Sequence, residues 1–320
     1  MRLRRRAPSQ PAGRTGDRVL FALCAFAVLL VGLTLFGVIF QLISNANPSI
    51  SRFGLPFLTH TTWKPNKPFE TFGAGAMIYG TVVSSLFALA LATPLGIAIG
   101  LYLSMMARPG VRAVVGSMVE MLAAVPSVIM GFWGLYVLAP FMATHIEPAL
   151  HSVLGFIPLF GAAQTTGLGL FTAGVILALM ILPIIASLSR DLFMTVPAEL
   201  KDGAAALGAT RWEIIRGIVL PTTASGVAAA TVLGLGRALG EAIAVTLVVG
   251  NLTKIQASLF KPGVTMASLI ANEFQYPESK LHVPSLFYLA LVLVVIGLLA
   301  SLAARAIAGR FDVHSQFGVT

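Results

Sequence analysis

Six separate apolar runs, each long enough to cross a lipid bilayer, dominate this sequence of 320 residues. Because a helix rises about 1.5 Å per residue, crossing ~30 Å of hydrocarbon takes about 20 residues. The runs fall near residues 19–43, 76–106, 113–138, 168–188, 224–249 and 285–304. Hydrophobic residues make up 57% of the chain and charged residues only 10%, against roughly 25% charged in soluble domains. These features predict an all-α integral membrane protein with six transmembrane helices.

The basic residues are distributed unevenly between the two sides that six spans define. Of the 21 Lys and Arg residues, 14 fall on the side of the two termini and six on the other side, while Arg237 lies within a span. The positive-inside rule therefore predicts that both termini and the connection 190–223 are cytoplasmic. We divide the chain into a basic cytoplasmic segment 1–18, a transmembrane domain 19–310 and a cytoplasmic tail 311–320. No basic and aromatic interleaving typical of nucleic-acid binding is present, so we expect lipid and no nucleic acid as a partner.

Three charged residues interrupt the predicted spans: Glu120 in the third, and Arg237 and Glu241 in the fifth. Each costs about 2.5–3.5 kcal/mol near the bilayer centre, so we expect them to face the protein interior. Arg237 and Glu241 are four residues apart and are predicted to share a helix face within mutual reach. They form either a buried brace between helices or an anion-handling site on a substrate pathway. Glu120 lies about two turns from the cytoplasmic end of its span, which leaves structural and functional interpretations open.

The sequence offers no chemistry of its own for bond cleavage. The five histidines have no metal-ligand spacing, and the single cysteine excludes an internal disulfide. Nothing resembles a phosphate-binding loop, because no Gly-Lys-Ser/Thr triplet occurs. We therefore expect no catalytic residue, metal or cofactor, and any ATP must be bound and hydrolysed by another chain.

The connection between spans four and five has a regular pattern. Pro197 suits a first helical turn, and Glu199 and Asp202 follow where a helix N-terminus favours negative charge. Gly208 offers a stop, and Thr210 with Glu213 forms a capping box for a second helix. The pattern predicts two short helices joined at a glycine.

This connection resembles the "EAA" loop of ABC-importer permeases, whose pattern is Glu-Ala-Ala, three residues, Gly, nine residues, Ile, one residue, Leu-Pro. The matching residues are Ala204, Gly208, Ile218, Leu220 and Pro221, and the departures are Asp202 for Glu and Gly203 for the first Ala. In that family the loop contacts the ATPase, so the resemblance assigns ATPase coupling to the following residues: Glu199, Asp202, Gly203, Ala204, Gly208, Ile218, Leu220 and Pro221. The departures put in doubt only a detailed contact through the carboxylate.

Three longer stretches narrow the resemblance: LGLGRALGEAIAVTLVVGN from Leu233, IYGTVVSSLFALALATPLGIAIGLYLS from Ile78 and EMLAAVPSVIMGFWGLYVLAP from Glu120. They are similar to the PstC family of phosphate-importer permeases over residues 16–310. The resemblance implies the type I ABC importer permease (MetI-like) fold in a bacterial inner membrane. It also implies transport of inorganic phosphate with a sister permease PstA, a dimer of the ATPase PstB and a periplasmic phosphate-binding protein PstS.

Two other functions stay open at this point. A permease for another anion, such as sulfate or molybdate, fits the loop pattern equally well. A stand-alone secondary anion symporter, with Glu120 or Glu241 as the proton site, belongs to a different class and needs no ATPase.

Overall fold

The computed structural model describes residues 14–66 and 70–309. Within these two ranges the chain forms helices and no β-strand. Residues 1–13 of the predicted basic segment and all of the predicted tail 311–320 lie outside the described residues, so their placement stays a prediction.

Long helices, joined by shorter ones, account for most of the described chain. In chain order they are α1 (Arg14–Phe53), α2 (Pro56–Thr59), α3 (Gly75–Met106), α4 (Pro109–Ala124), α5 (Ser127–Leu154), α6 (Leu170–Thr195), α7 (Ala198–Ala206), α8 (Arg211–Gly240), α9 (Ile243–Val248), α10 (Met266–Glu273) and α11 (His282–Gly309). Six of them, α1, α3, α5, α6, α8 and α11, are long and apolar enough to cross a membrane. The prediction of an all-α protein with six transmembrane helices is confirmed.

Helix α6 forms the centre of the bundle. It is apolar on all sides, which is typical of a helix surrounded by other helices, and 72% of its most apolar stretch is buried. Two glycines flank its residue Ile185: a Cβ on Gly96 of α3 would lie 2.9 Å from the Ile185 side chain, and one on Gly234 of α8 would lie 3.1 Å from it. Small residues at these points let both neighbouring helices approach α6 closely.

Helix α1 is the opposite case, because its residues 16–40 are all exposed. Only the end of the helix, around the buried Ala46 and Ser49, packs against the rest of the chain, where the Ser49 and Ser285 hydroxyls are 3.0 Å apart. The exposed part is strongly apolar, so its surface is suited to lipid or to another membrane helix.

The third span differs from the prediction. We expected one helix over residues 113–138, kinked at Pro126, but the chain breaks at Val125 and Pro126, both of which have extended ψ angles. Proline lacks an N–H group and disfavours helical geometry at the residue before it, so α4 ends there. The membrane-spanning helix is α5, which continues through much of the stretch 139–167 that was expected to be a loop.

The prediction of a fifth span over residues 224–249 and of a separate coupling loop over residues 190–223 is also wrong in its boundaries. Helix α6 continues to Thr195, and α8 runs without interruption from Arg211 to Gly240. Pro221 does not break α8. A wider π-helical turn at Ile215–Val219 directly precedes it and accommodates a residue that has no N–H group to donate. The second of the two predicted loop helices is therefore the first part of the fifth span.

Candidate functional site

Arg237 lies three residues before the end of α8 and close to the middle of the bundle. Gly234, one turn earlier, packs against Ile181 and Ile185, which are near the midpoint of α6. The Arg237 side chain is nevertheless exposed, because it faces a cleft of about 900 Å³ between α6, α8 and α11. The charge predicted to interrupt the fifth span thus borders open space at the depth where an isolated charge is most costly.

The lining of this cleft is mostly apolar. Helix α6 contributes Ile184, Leu188 and Leu192, and α8 contributes glycine, alanine, valine and leucine side chains between Gly226 and Gly236. The charged lining residues are two arginines, Arg237 and Arg305, and Ser301 adds a hydroxyl group. A guanidinium in such surroundings attracts anions more strongly than it would in bulk water.

Glu241 is not placed as the sequence suggested. Helix α8 ends at Gly240, and Glu241 has an extended backbone with φ −71° and ψ 117°. Its carboxylate Oε1 accepts a hydrogen bond from the Ala244 backbone N–H at 3.3 Å, which caps the short helix α9. The expectation that Arg237 and Glu241 form a pair one turn apart is therefore wrong, since the four-residue spacing brings side chains together only within a continuous helix.

A second helix break lies beside the first. Helix α5 begins at Ser127, directly after the break at Pro126, and packs against α9 one turn later. A Cβ on Gly131 would lie 3.0 Å from the Cα atom of Ala244, so the two backbones are in close contact. The interruptions at Val125–Pro126 and at Glu241–Ala242 therefore each lie within a few residues of this contact. Interrupted helices at mid-membrane are a recurrent feature of transporter binding sites.

Glu120 lies on α4 and is mostly exposed. Its Oε1 is 3.2 Å from Nη1 of Arg190, a residue of α6 whose guanidinium also contacts Asp191 at 3.0 Å. The structure thus places Glu120 against the C-terminal half of α6, in an ion pair with Arg190. A role for Glu120 on the substrate pathway stays a prediction.

Sequence reasoning missed Arg190, because we assigned it to the cytoplasmic connection that follows span four. It lies within α6, and Gly100 of α3 and Gly116 of α4 both leave room for it: a Cβ on Gly100 would be 3.0 Å from the Arg190 backbone N, and one on Gly116 would be 3.2 Å from Nη1. The two glycines that face Arg190 can be recognised as a packing feature only in the assembled helices, because they lie on different helices.

A second missed cluster joins distant segments of the chain. Glu273 Oε2 accepts hydrogen bonds from Trp63 Nε1 at 2.7 Å and from His282 Nε2 at 2.8 Å, and the Glu278 backbone N–H donates to the other His282 nitrogen. His282 is buried and stacks on Phe72. Among the described residues no group of three or more His, Cys, Asp or Glu side chains could hold a metal ion.

The residues assigned to ATPase coupling divide into two groups. Glu199, Asp202, Gly203, Gly208 and Pro221 are exposed. Ala204, Ile218 and Leu220 are half-buried and pack against a small core that contains Phe193, Ile214, Val219 and Val227. The second group therefore holds α7 against α8, while the first group is accessible to another protein.

The turn between α7 and α8 is fixed by local geometry. Gly208 has φ +89°, a region that L-residues with side chains avoid. Two residues later Thr210 begins α8 with a capping box: Glu213 N–H donates to Thr210 Oγ1 at 3.3 Å, and Glu213 Oε2 accepts from Thr210 N–H at 2.7 Å. The predicted capping box and the predicted glycine stop are both present.

Comparisons with known proteins agree with this architecture. Residues 92–313 match the family model described as "Binding-protein-dependent transport system inner membrane component". The chain is 43% identical over 303 residues to the "Phosphate transport system permease protein PstC" of Mesorhizobium japonicum, covering 93% of this chain and 92% of the relative. It is 42% identical over 290 residues to the protein of the same name from Pasteurella multocida, covering 90% of each.

The chain belongs to the PstC family. A solved structure of a bacterial alginate ABC transporter, in complex with a periplasmic protein, contains a chain that superimposes on it with a TM-score of 0.62 and 17% sequence identity. The superposition covers 94% of this PstC-family chain and 99% of the other. The likeness shows the ABC importer permease fold, and the family makes the chain a subunit of a transporter in the inner membrane.

Proposed function

We propose that this chain is the permease subunit of an ATP-driven importer of inorganic phosphate and forms half of its alternating-access pathway. Two observations support this proposal together. The relatives that cover nine-tenths of the chain are named phosphate transport permeases. Arg237 supplies a fixed positive charge on an otherwise apolar cleft in the middle of the bundle, and this observation carries the site.

The direction of transport explains the need for ATP. Moving an anion into a cell with a negative interior costs about 2.3 kcal/mol per charge for each 100 mV. Phosphate carries one to two negative charges, so a passive pore would release it from the cell. This chain itself cleaves no bond and holds no cofactor in our proposal, and ATP is bound and hydrolysed by separate ATPase subunits.

In this proposal the complex contains a sister permease PstA, a dimer of the ATPase PstB and the periplasmic phosphate-binding protein PstS. ATP binding brings the ATPases together and opens the cavity outward, where phosphate is received. Hydrolysis then resets the complex and releases phosphate to the cytoplasm. The exposed residues of α7 and of the α7–α8 turn connect the ATPase to α8, and α8 carries Arg237 at its other end.

Arg237 and Glu241 have separate tasks in this proposal. The Arg237 guanidinium presents two parallel N–H groups that match two oxygens of one phosphate. Glu241 caps α9, so α8 ends at Gly240 and does not continue past the arginine. With its carboxylate engaged by Ala244 N–H, Glu241 leaves the arginine available for an external anion.

The experiment that tests the function uses the reconstituted complex of all four proteins in proteoliposomes. We expect ATP-dependent uptake of radiolabelled phosphate that excess sulfate or molybdate does not inhibit. Uptake by the permease pair without the ATPase would support a secondary symporter instead. Inhibition by sulfate or molybdate would assign a different anion to the site.

The orientation of the chain is testable with engineered cysteines. We propose that both termini and the α7–α8 turn are cytoplasmic, because 14 of the 21 basic residues lie on that side. Phe156, before α6, and Leu207, after it, are both exposed. In a Cys24→Ala background, Phe156→Cys should react with a membrane-impermeant maleimide in spheroplasts, and Leu207→Cys only after permeabilisation. Reaction of both in intact spheroplasts would contradict the proposed topology.

Gly208 provides a test of the coupling surface. A Cβ at this position meets no atom within 4 Å, so the effect of Gly208→Ile comes from its positive φ and not from a clash. Forcing a β-branched residue into this region costs about 1–2 kcal/mol, which is enough to reorient α7 relative to α8 and weaken ATPase binding roughly tenfold. Co-purification of the ATPase with the permease measures this directly.

The matched control for Gly208→Ile is Gly208→Asn, because asparagine tolerates a left-handed backbone at a lower cost. It should retain most of the ATPase recruitment. Both variants should insert normally into the membrane. Full recruitment and full transport by Gly208→Ile would remove the turn from the coupling surface.

A further inference from the structure

A second guanidinium group reaches the cleft that contains Arg237. Arg305 lies near the C-terminal end of α11 and lines the cleft together with Ser301. The two residues are four positions apart, so they project from the same face of α11, one turn from each other. The remaining lining side chains are aliphatic or are glycines, and no carboxylate contributes to the lining among the described residues.

The two arginines lie at different depths along α8. The lining residues of this helix extend from Gly226 to Arg237, which corresponds to about 16 Å of helix, with Arg237 at one end. Helices α8 and α11 are consecutive membrane spans and so run in opposite directions, which places the C-terminal end of α11 at the level of the start of α8. Arg305 therefore enters the cleft nearer to the start of α8, on the side of the α7–α8 turn.

A role for Arg305 as a topological anchor explains only part of this arrangement. Arginines at the cytoplasmic ends of membrane helices commonly extend to lipid headgroups, and the positive-inside rule requires nothing more of them. Here, however, two cationic side chains line a single cleft with apolar walls. At two depths of this cleft, each guanidinium group attracts an anion that enters it.

We infer that Arg305, together with the Ser301 hydroxyl, binds a phosphate-group oxyanion at a second position in the cleft, nearer than Arg237 to the cytoplasmic end of α8. The inference deepens the proposed function and rests on it for the source of the anion. Phosphate that leaves Arg237 would pass this second position before it reaches the cytoplasm. Two weaker sites in sequence allow an ion to enter and still to leave.

The test restores the charge after the complex has assembled. Arg305→Cys is combined with Cys24→Ala, which removes the chain's single native cysteine, and with cysteine-free partner subunits in proteoliposomes. We expect phosphate uptake to fall by about fivefold, the size of effect typical of one exposed charge interaction. Aminoethyl methanethiosulfonate, which adds a positive charge, should restore at least half of the lost uptake. Neutral methyl methanethiosulfonate should restore none.

The matched control is Arg108→Cys in the same background. Arg108 is an exposed arginine at the start of α4, outside the cleft, and it contributes equally to the positive-inside charge. Its uptake should be unchanged before and after either reagent. Wild-type uptake by Arg305→Cys, or a defect that both reagents leave unchanged, overturns the second position, since a topological anchor acts only during insertion.

Two further arms identify the source of the oxyanion and separate this inference from the proposed function. If free phosphate occupies the position, the rescue pattern is the same in vesicles of phosphatidylcholine alone and in vesicles that also contain phosphatidylglycerol. If a lipid headgroup occupies it, the parent complex requires phosphatidylglycerol and Arg305→Cys abolishes that requirement.

Failure of the parent complex to import phosphate overturns the proposed function, whatever Arg305 does. The binding position is then still measured without transport. Inorganic phosphate should slow the reaction of a Ser301→Cys thiol, in a Cys24→Ala background that keeps Arg305, with sulfonatoethyl methanethiosulfonate more than sodium chloride of equal ionic strength does. Equal effects of the two salts overturn the binding position.

Discussion

Replacing Arg237 with glutamine is expected to reduce phosphate uptake by roughly 30- to 150-fold, because one charge-assisted contact to an anion contributes about 2–3 kcal/mol. The side chain is exposed to the cleft, and its neighbours on the walls are aliphatic, so no group in the lining of α6 or α8 replaces the lost charge. Assembly should be unaffected, since among the described residues Arg237 forms no ion pair. The measurement is radiolabelled phosphate uptake, normalised to the amount of assembled complex.

Two further substitutions separate an anion site from a structural brace. Arg237→Lys should retain part of the activity, because a point charge replaces a planar group that binds two oxygens at once. The exchange of charges in Arg237→Glu with Glu241→Arg should restore nothing, since Glu241 lies beyond the end of α8 and caps α9. A brace predicts the reverse: Arg237→Gln would lower thermal stability, and the exchange would recover it.

The control for Arg237→Gln is Arg108→Gln, which removes one positive charge from an exposed position outside the cleft. Uptake by this control should remain at the level of the unmodified complex. Equal uptake by Arg237→Gln and by the unmodified complex, at equal assembly, would falsify the role of Arg237. The polar backbone at the two helix breaks would then be the next candidate site.

The number of spans could be predicted from the sequence. An apolar run of about 20 residues has the length needed to cross the bilayer, and a helix satisfies all of its backbone hydrogen bonds there. The position of the third span could not. Residues 113–138 are mostly apolar on both sides of Pro126, and hydropathy does not distinguish a helix that passes through Pro126 from one that ends there. Proline kinks some membrane helices and terminates others, and the outcome depends on the neighbouring helices.

The candidate site shows the same limit. Charge and hydropathy correctly drew attention to Arg237, but its relation to Glu241 depended on whether α8 continued for one more residue. Glu120 was recognised as unusual, whereas its partner Arg190 was not, because 70 positions separate them. Contacts of this kind, like that between Trp63 and Glu273, are set by packing and have no signature in local spacing.

The coupling motif illustrates a different division. Its spacing, its glycine stop and its capping box follow from local rules that the sequence states directly. Local rules do not show which of its residues are available to a partner, because the burial of Ala204, Ile218 and Leu220 depends on Phe193 of α6. The motif therefore predicts a docking element. The packing leaves five of its residues exposed and so available for a contact with the ATPase.

At Gly80 a single methyl group is expected to damage the fold severely. It lies in α3, where a Cβ would be only 2.0 Å from the backbone carbonyl oxygen of Val264 and 3.0 Å from its carbonyl carbon. The next residue, Thr81, accepts a hydrogen bond from Met266 N–H at 2.9 Å and so holds the start of α10 against the same helix. Backbone atoms cannot rotate away as a side-chain end can, so one of the two segments must move.

We therefore expect Gly80→Ala to lower the free energy of unfolding by at least about 3 kcal/mol, the upper range for overpacking a rigid contact. Moving α10 also separates Met266 N–H from Thr81, which adds the cost of an unsatisfied buried donor. The control is Gly37→Ala, on the exposed face of α1, where a Cβ meets no atom within 4 Å and alanine favours the helix by up to about 1 kcal/mol. Thermal unfolding of the purified complex in detergent should give a clearly lower midpoint for Gly80→Ala and an unchanged or slightly higher one for Gly37→Ala. Equal midpoints for the two variants would mean that α3 and the segment before α10 are not in contact at Gly80.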